Sequence, residues 1–327
     1  MRKEILNNIS GYKNHGTPGF EELAMRIFQY QASNNPVYAQ FLDYLNIRPK
    51  NINTIDQIPF LPVSLFKNKK IKTGNWKEEK VFESSATTGM EVSKHYIRDL
   101  QFYYDNARFC FESFTGDDIR NYKFYALLPS YLERQTSSLV FMINRFIDLS
   151  GGGFYRYDYK ALLDDIAKDR DGKKIILIGV TFALLDMAEK YNPDLSDVIV
   201  METGGMKGRK KESPREEIHA KLKKAFNLDK IYSEYGMTEL LSQCYSAGDG
   251  IFETNPMIKI IIKDIYDPFS TLQQGRQGKI NIIDLANVDT CSFLATDDLG
   301  MMTGESTFKV LGRTDESDIR GCNLLFY

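Results

Sequence analysis

The sequence is poor in tryptophan, histidine and cysteine, with one, three and four of each in 327 residues. Cys110, Cys244, Cys291 and Cys322 are far apart and form no CxxC pair. That excludes a disulfide framework and reads as free thiols in a reducing compartment. No apolar run is long enough to span a bilayer, and the opening MRKEILNNISGYK lacks the apolar stretch of a signal peptide. A cytoplasmic protein with no membrane span is expected. Neither sign of charge predominates: 42 Lys and Arg face 44 Asp and Glu, a formal net charge of −2. Such a balance gives no general pull toward nucleic acid, so no nucleic-acid partner is expected. Internal repeats and low-complexity segments are lacking too. The aromatics are abundant, with 19 Tyr and 21 Phe in a composition that is 13% aromatic, and an aromatic-rich core accounts for them.

The pattern along the chain divides it in three. Residues 1–55 are a helical segment, with apolar groups recurring at helical spacing in FEELAMRIFQY from Phe20 to Tyr30. Residues 56–250 read as an α/β core. Its strands fall at Tyr122–Leu128, Lys174–Val180 and Asp197–Glu202, and its helices at Ile97–Phe114, Ser137–Leu149, Phe182–Tyr191 and Pro214–Phe226. Ser213 and Pro214 suit an N-cap and a first-turn proline. Such alternation predicts a parallel sheet flanked by helices. Ligands of these sheets gather beyond the carboxyl ends of the strands, where Thr203-Gly204-Gly205 and Tyr232–Glu239 would lie. Residues 251–327 hold short β runs between Pro, Gly and Asp turns, predicting a smaller, mainly antiparallel β subdomain.

Four stretches carry residues suited to chemistry. VFESSATTGMEVSKH, Val81–His95, places hydroxyl residues and a glycine after a β-favouring pair. Ser84, Ser85, Thr87, Thr88 and Gly89 supply backbone and hydroxyl donors for phosphate oxygens, and Lys94 supplies a charge. The spacing is not GxxxxGK[ST], so this stretch alone reads as a surface loop. SEYGMTE, Ser233–Glu239, sets a glycine turn beside an aromatic, a hydroxyl and a carboxylate. ATDDLG, Ala295–Gly300, offers acidic acceptors for vicinal hydroxyls, although alone it reads as a hairpin turn. LGRTD, Leu311–Asp315, puts an arginine beside a turn after a β run.

In this order the four resemble the motifs of the adenylate-forming superfamily of acyl- and aryl-CoA synthetases, luciferases and peptide synthetases. SSATTG followed by a lysine is similar to its SSGTTGxPK phosphate loop, and YGMTE matches its YGxTE. TDDLG resembles TGDLG, and LGRTDESDIRG resembles the GRxDDxxKIRG hinge. IPFLPVSLFK, METGGMKGRKKE and the terminal DIRGCNL resemble the LuxE acyl-protein synthetases within that group. The likeness runs from about Ile58 to the C-terminus.

The resemblance implies an AMP-forming acid–thiol ligase. A carboxylic acid, for LuxE a fatty acid, attacks the α-phosphate of Mg-ATP to give acyl-AMP and pyrophosphate, and the acyl group passes to a cysteine. By this likeness Ser84, Ser85, Thr87, Thr88 and Gly89 hold polyphosphate and Lys94 offsets its charge. Thr238 touches the α-phosphate and Glu239 holds Mg. Tyr235 and Gly236 flank adenine, with Gly204, Gly205 and Met206 lining the base pocket. Asp298 takes the ribose hydroxyls, supported by Arg313. Cys322 becomes the acyl acceptor and an acyl reductase or acyl carrier the partner, while Cys110, Cys244 and Cys291 are assigned to packing. His95 either contacts the substrate carboxylate or adenylate oxyanion, or caps the following helix. His15 and His219 read as surface residues. The implied fold is the large N-terminal domain of that superfamily, without its mobile C-terminal domain.

Three departures qualify the match. Ala86 replaces a usual glycine, and Lys94 is displaced by two residues from the superfamily lysine. The chain given also ends just beyond the hinge-like motif, so Lys94, Lys207 or a partner must supply the charge that the C-terminal lysine provides. Two other readings follow: a ligase that transfers the acyl group to coenzyme A, and a non-catalytic nucleotide-binding subunit.

Overall fold

The computed structural model describes residues 1–16, 18–84, 91–128, 136–169, 171–204 and 214–313. Contacts divide the chain into two units, Met1–Asn75 with the stretch from Pro256, and Trp76–Asn255. The first unit opens with three helices, α1 (Arg2–His15), α2 (Phe20–Asn34) and α3 (Pro36–Tyr44). In α2, Leu23, Ala24, Ile27 and Phe28 fall on one buried face, as the 3.6-residue repeat requires. Asn35 starts α3, its side chain accepting from the Val37 and Tyr38 amides, with Pro36 in the first turn. A two-residue strand, β1 (Leu61–Pro62), and a single-turn helix, α4 (Leu65–Asn68), complete this stretch.

The second unit begins with a hairpin of β2 (Lys80–Glu83) and β3 (Lys94–Ile97). Then come α5 (Leu100–Thr115), β4 (Tyr122–Leu127), α6 (Ser138–Ser150), β5 (Gly152–Tyr155), α7 (Tyr159–Lys168), β6 (Lys174–Val180), α8 (Thr181–Tyr191), β7 (Val198–Thr203) and α9 (Arg215–Phe226). The strands β8 (Tyr232–Tyr235), β9 (Cys244–Ser246) and β10 (Ile251–Glu253) close the unit. Pairing runs β10-β9-β8-β7-β6-β4-β5, parallel from β8 to β5 and antiparallel at β9 and β10. The central parallel strands β6 and β7 are largely buried and rich in Ile and Val, as expected of strands covered on both faces.

Local signals set the helix bounds. Asp99 accepts from the Phe102 amide, so α5 starts at Leu100 and Ile97 belongs to β3 instead. At α9, Pro214 occupies the cap position with no side-chain cap bond, which displaces the cap expected at Ser213, a residue outside those described. The acids Glu216 and Glu217 in the first turn favour the helix dipole there. The sequence offers no expectation for several elements, β5 and α7 among them. At β5 the cause is Gly152, where an added Cβ would fall 1.8 Å from the Phe124 carbonyl oxygen. Only glycine allows that edge strand to close on β4, and glycine is a poor strand signal.

The first unit resumes with β11 (Ile258–Lys263), β12 (Gly278–Asp284), β13 (Phe293–Met302) and β14 (Thr307–Arg313), consecutive antiparallel neighbours. β1 pairs parallel with β13 through Leu61 and Leu294. Asn35 ties the helices to this sheet segment by donating to the Thr290 carbonyl at 2.8 Å. Thr296–Gly300, which alone reads as a turn, lies inside β13.

Candidate active site

In the second unit, β7 and β8 end side by side, with Thr203 opposite Glu234. Gly204 follows β7 and is exposed; Gly205 and Met206 lie outside the described residues. After β8 the chain turns through Gly236, Met237 and Thr238 to Glu239. Tyr235 is buried, its ring centroid 5.7 Å from that of Phe252. Gly236 is exposed, Thr238 half-buried and Glu239 buried. Backbone leaving the carboxyl ends of parallel strands is released from the ladder, which is why ligands of such sheets collect there.

The β2–β3 hairpin comes to the same turn. Ser84 closes the mouth of the hydroxyl-rich loop, its amide donating to the Ser93 carbonyl at 3.0 Å and its hydroxyl accepting from the Ser93 amide at 2.9 Å. The loop residues Ser85, Thr87, Thr88 and Gly89 lie outside the described ones. Beyond it, Lys94 is exposed opposite Glu83, and His95 is fully buried opposite Phe82. His95 Nδ1 lies 2.7 Å from the Thr238 carbonyl oxygen. A carbonyl only accepts, so Nδ1 carries the proton. His95 therefore braces the YGMTE turn. The helix-capping alternative is corrected, because Asp99 holds the start of α5.

Beneath the strand ends lie two buried carboxylates, Glu202 and Glu234. Glu202 accepts from Thr181 at 2.9 Å and Ser233 at 3.0 Å, and pairs with Arg215 at 3.1 Å. His219 Nε2 is 3.5 Å from it, so this histidine is buried, correcting its reading as a surface residue. Burial alone would raise the Glu202 carboxyl, but His219, Arg215 and Thr181 hold it below the usual range. Glu234 has a different environment. It accepts from the Thr203 hydroxyl at 2.7 Å, and burial together with nearby Glu202 pushes it up to about 7. Neither acid was singled out in the sequence. The available signal was a lone acid near the end of an otherwise apolar strand, two residues before a glycine in both METG and EYG.

In the first unit, Asp298 of β13 is buried opposite Arg313 of β14. Arg313 Nε donates to Asp298 Oδ1 at 2.9 Å. The arginine side chain is 73% exposed and the aspartate 7%. Cys110, Cys244 and Cys291 are buried and form no disulfide among the described residues, and burial pushes the Cys291 thiol up to about 12. Cys322 and Lys207 lie outside the described residues. Among the described residues no cluster of three metal-ligating side chains occurs, and no helix is long and apolar enough to cross a membrane.

Comparison with known proteins gives the architecture a counterpart. The chain superposes on a 2-hydroxyisobutyryl-CoA ligase in its postadenylation state with a TM-score of 0.62, at 12% identity, over 90% of this chain and 68% of that one. It has the fold of the N-terminal domain of the adenylate-forming ligases. ATP-bound MatB from Rhodopseudomonas palustris aligns with a TM-score of 0.54 at 16% identity, covering 71% of this chain. The chain spans 47% of the length of that protein. In sequence it is similar to a long-chain-fatty-acid–luciferin-component ligase of Vibrio harveyi, a distant LuxE homologue. The two are 23% identical over 325 residues, 91% of this chain and 84% of that protein. No protein-family model matches the chain.

Proposed function

We propose that this protein activates a carboxylic acid, a fatty acid by preference, as its acyl-adenylate at the expense of ATP, and then transfers the acyl group to the Cys322 thiol in the manner of a LuxE ligase. The observation that carries this reading is the His95–Thr238 hydrogen bond, which ties the strand after the hydroxyl-rich loop to the YGMTE turn. Two motifs that the resemblance assigns to one nucleotide are thus joined through their flanks. The similarity to the Vibrio harveyi ligase along most of the chain supports the choice of acid.

In the first step a substrate carboxylate oxygen bonds to the α-phosphorus of ATP and pyrophosphate leaves. Thr87, Thr88 and Gly89 hold the polyphosphate, Lys94 balances charge, and Thr238 meets the α-phosphate. Glu239 would supply an oxygen ligand for Mg, which when bound would neutralise the phosphate charge. A single carboxylate suits this ion, which takes most of its ligands from water and phosphate. Asp298 accepts the ribose hydroxyls and Arg313 holds Asp298. In the second step the Cys322 thiolate bonds to the acyl carbon and AMP leaves, with Arg320 favouring the thiolate. The acyl group then passes to a reductase or carrier protein.

Incubation with labelled fatty acid and Mg-ATP tests this directly. A hydroxylamine-labile protein adduct is expected, and one that persists in Cys322→Ser would remove the cysteine from the reaction. Transfer to coenzyme A is the second reading, favoured by the likeness to a ligase captured with its acyl-AMP and CoA. CoA-dependent AMP release would select it.

A further inference from the structure

Glu234 stands between the two strand ends, yet the reaction described above does not use it. Its Oε2 accepts from the Thr203 hydroxyl at the last residue of β7. Its Oε1 lies beneath the turn after β8, where a Cβ added to Gly236 would come within 2.5 Å. One buried side chain thus touches the end of one strand and the underside of the turn leaving the next. We propose that Glu234 is a positioning residue: held by Thr203 and lying against Gly236, it fixes where the Tyr235–Thr238 turn presents its backbone to the nucleotide. This rests on the nucleotide reading of the turn.

The surroundings say in which form it acts. Tyr245 on β9 is paired opposite Glu234, Glu202 on β7 acts on it from the other face of the sheet, and no cation among the described residues pairs with it. Arg215 and His219 lie against Glu202 on the other face of the sheet. The two acids are held apart in protonation, Glu202 as the anion and Glu234 with its proton up to about pH 7. A protonated carboxyl keeps its acceptor for Thr203 and adds a donor. The Tyr245 hydroxyl, buried with no partner among the described residues, is a polar atom on that side. Ionisation would set an unpaired charge beside Glu202 and loosen that arrangement. A side chain at Gly236 would crowd Glu234 Oε1, so the carboxyl would have to shift to admit one.

The test compares wild type with Glu234→Gln and Glu234→Ala, reading direct ATP binding and the ATP KM of carboxylate-dependent ATP–pyrophosphate exchange from pH 6 to 8.5. Glu234→Gln mimics the protonated acid. It is expected to stay within threefold of wild type at pH 6.5 and to lack the loss of ATP affinity that wild type shows above pH 7. Glu234→Ala is expected to raise the ATP Kd and KM about tenfold with kcat within threefold, a split that mere loss of stability would not produce. Should the alanine variant not fold, Thr203→Val removes the same bond from the other strand and is expected to raise Kd three- to tenfold. A folded Glu234→Ala or Thr203→Val with wild-type ATP Kd, or a glutamine variant as weak as the alanine one, overturns the proposal. Wild type that binds ATP but shows no acid-dependent exchange sinks the adenylation reading alone, and the Kd values still decide Glu234. Wild type that binds no ATP sinks both.

Discussion

His95 donates from Nδ1 to the carbonyl oxygen of Thr238 across 2.7 Å, although 143 residues separate the two in sequence. The ring is fully buried, so it acts on the turn rather than in solvent. One strand of the hairpin thereby holds the YGMTE segment by its backbone, leaving the Thr238 side chain available for a ligand.

Removing that donor has a measurable cost. His95→Phe keeps the ring volume and loses the bond, whose net value is about 1 kcal/mol. An increase of about fivefold in the ATP KM is expected, with thermal unfolding still cooperative. An unchanged KM would mean that the brace does not reach the nucleotide.

Glu234 and Glu202 give stability two opposite pH dependences. Glu234 is raised from 4.5 to about 7 in the folded state, so the fold binds its proton more tightly than the unfolded chain does. Its contribution is complete below pH 4.5 and is lost as pH rises to about 7, a change of about 3 kcal/mol at most. Glu202 is lowered, so its contribution is present above pH 4.5 and lost as pH falls below it. Denaturant unfolding of Glu234→Gln is expected to flatten the limb between pH 4.5 and 7 and leave the acid limb in place. Equal slopes in the two proteins would contradict this.

The sequence made the larger pattern legible. Lys174–Val180 is a strand at the bounds the apolar run indicates, and the helical character of the opening segment follows from the spacing in Phe20–Tyr30. It failed where tertiary contacts decide. β5 depends on the absence of a Cβ at Gly152, and ATDDLG is pulled into β13 by ladder partners on both sides. Candidate residues inside motifs could be read from the sequence. Glu202, Glu234 and the burial of His219 could not, because their importance comes from which side chains the strand register sets beside them.

Asp298 and Arg313 separate binding from stability. The arginine is exposed although Asp298 is not, so Arg313→Ala is expected to lower unfolding free energy by about 1 kcal/mol. Asp298→Ala is expected to weaken ATP binding at least tenfold, since the proposed ribose acceptor is lost. Equal ATP affinity in Asp298→Ala and wild type would withdraw that role.

Thiol labelling tests Cys322 as the proposed acyl acceptor. Cys110, Cys244 and Cys291 are buried, so they are expected to react only on denaturation. A rapidly labelled thiol in the native protein is expected to be Cys322 and to disappear in Cys322→Ser. Rapid native labelling that survives this substitution would point to one of the other three.

The central claim is adenylation, and carboxylate-dependent ATP–pyrophosphate exchange across a panel of carboxylic acids tests it most directly. The account expects exchange that requires acid and Mg, is strongest with fatty acids, and falls at least a hundredfold in Glu239→Gln. ATP binding without exchange for any acid would contradict it and leave a nucleotide-binding subunit in its place.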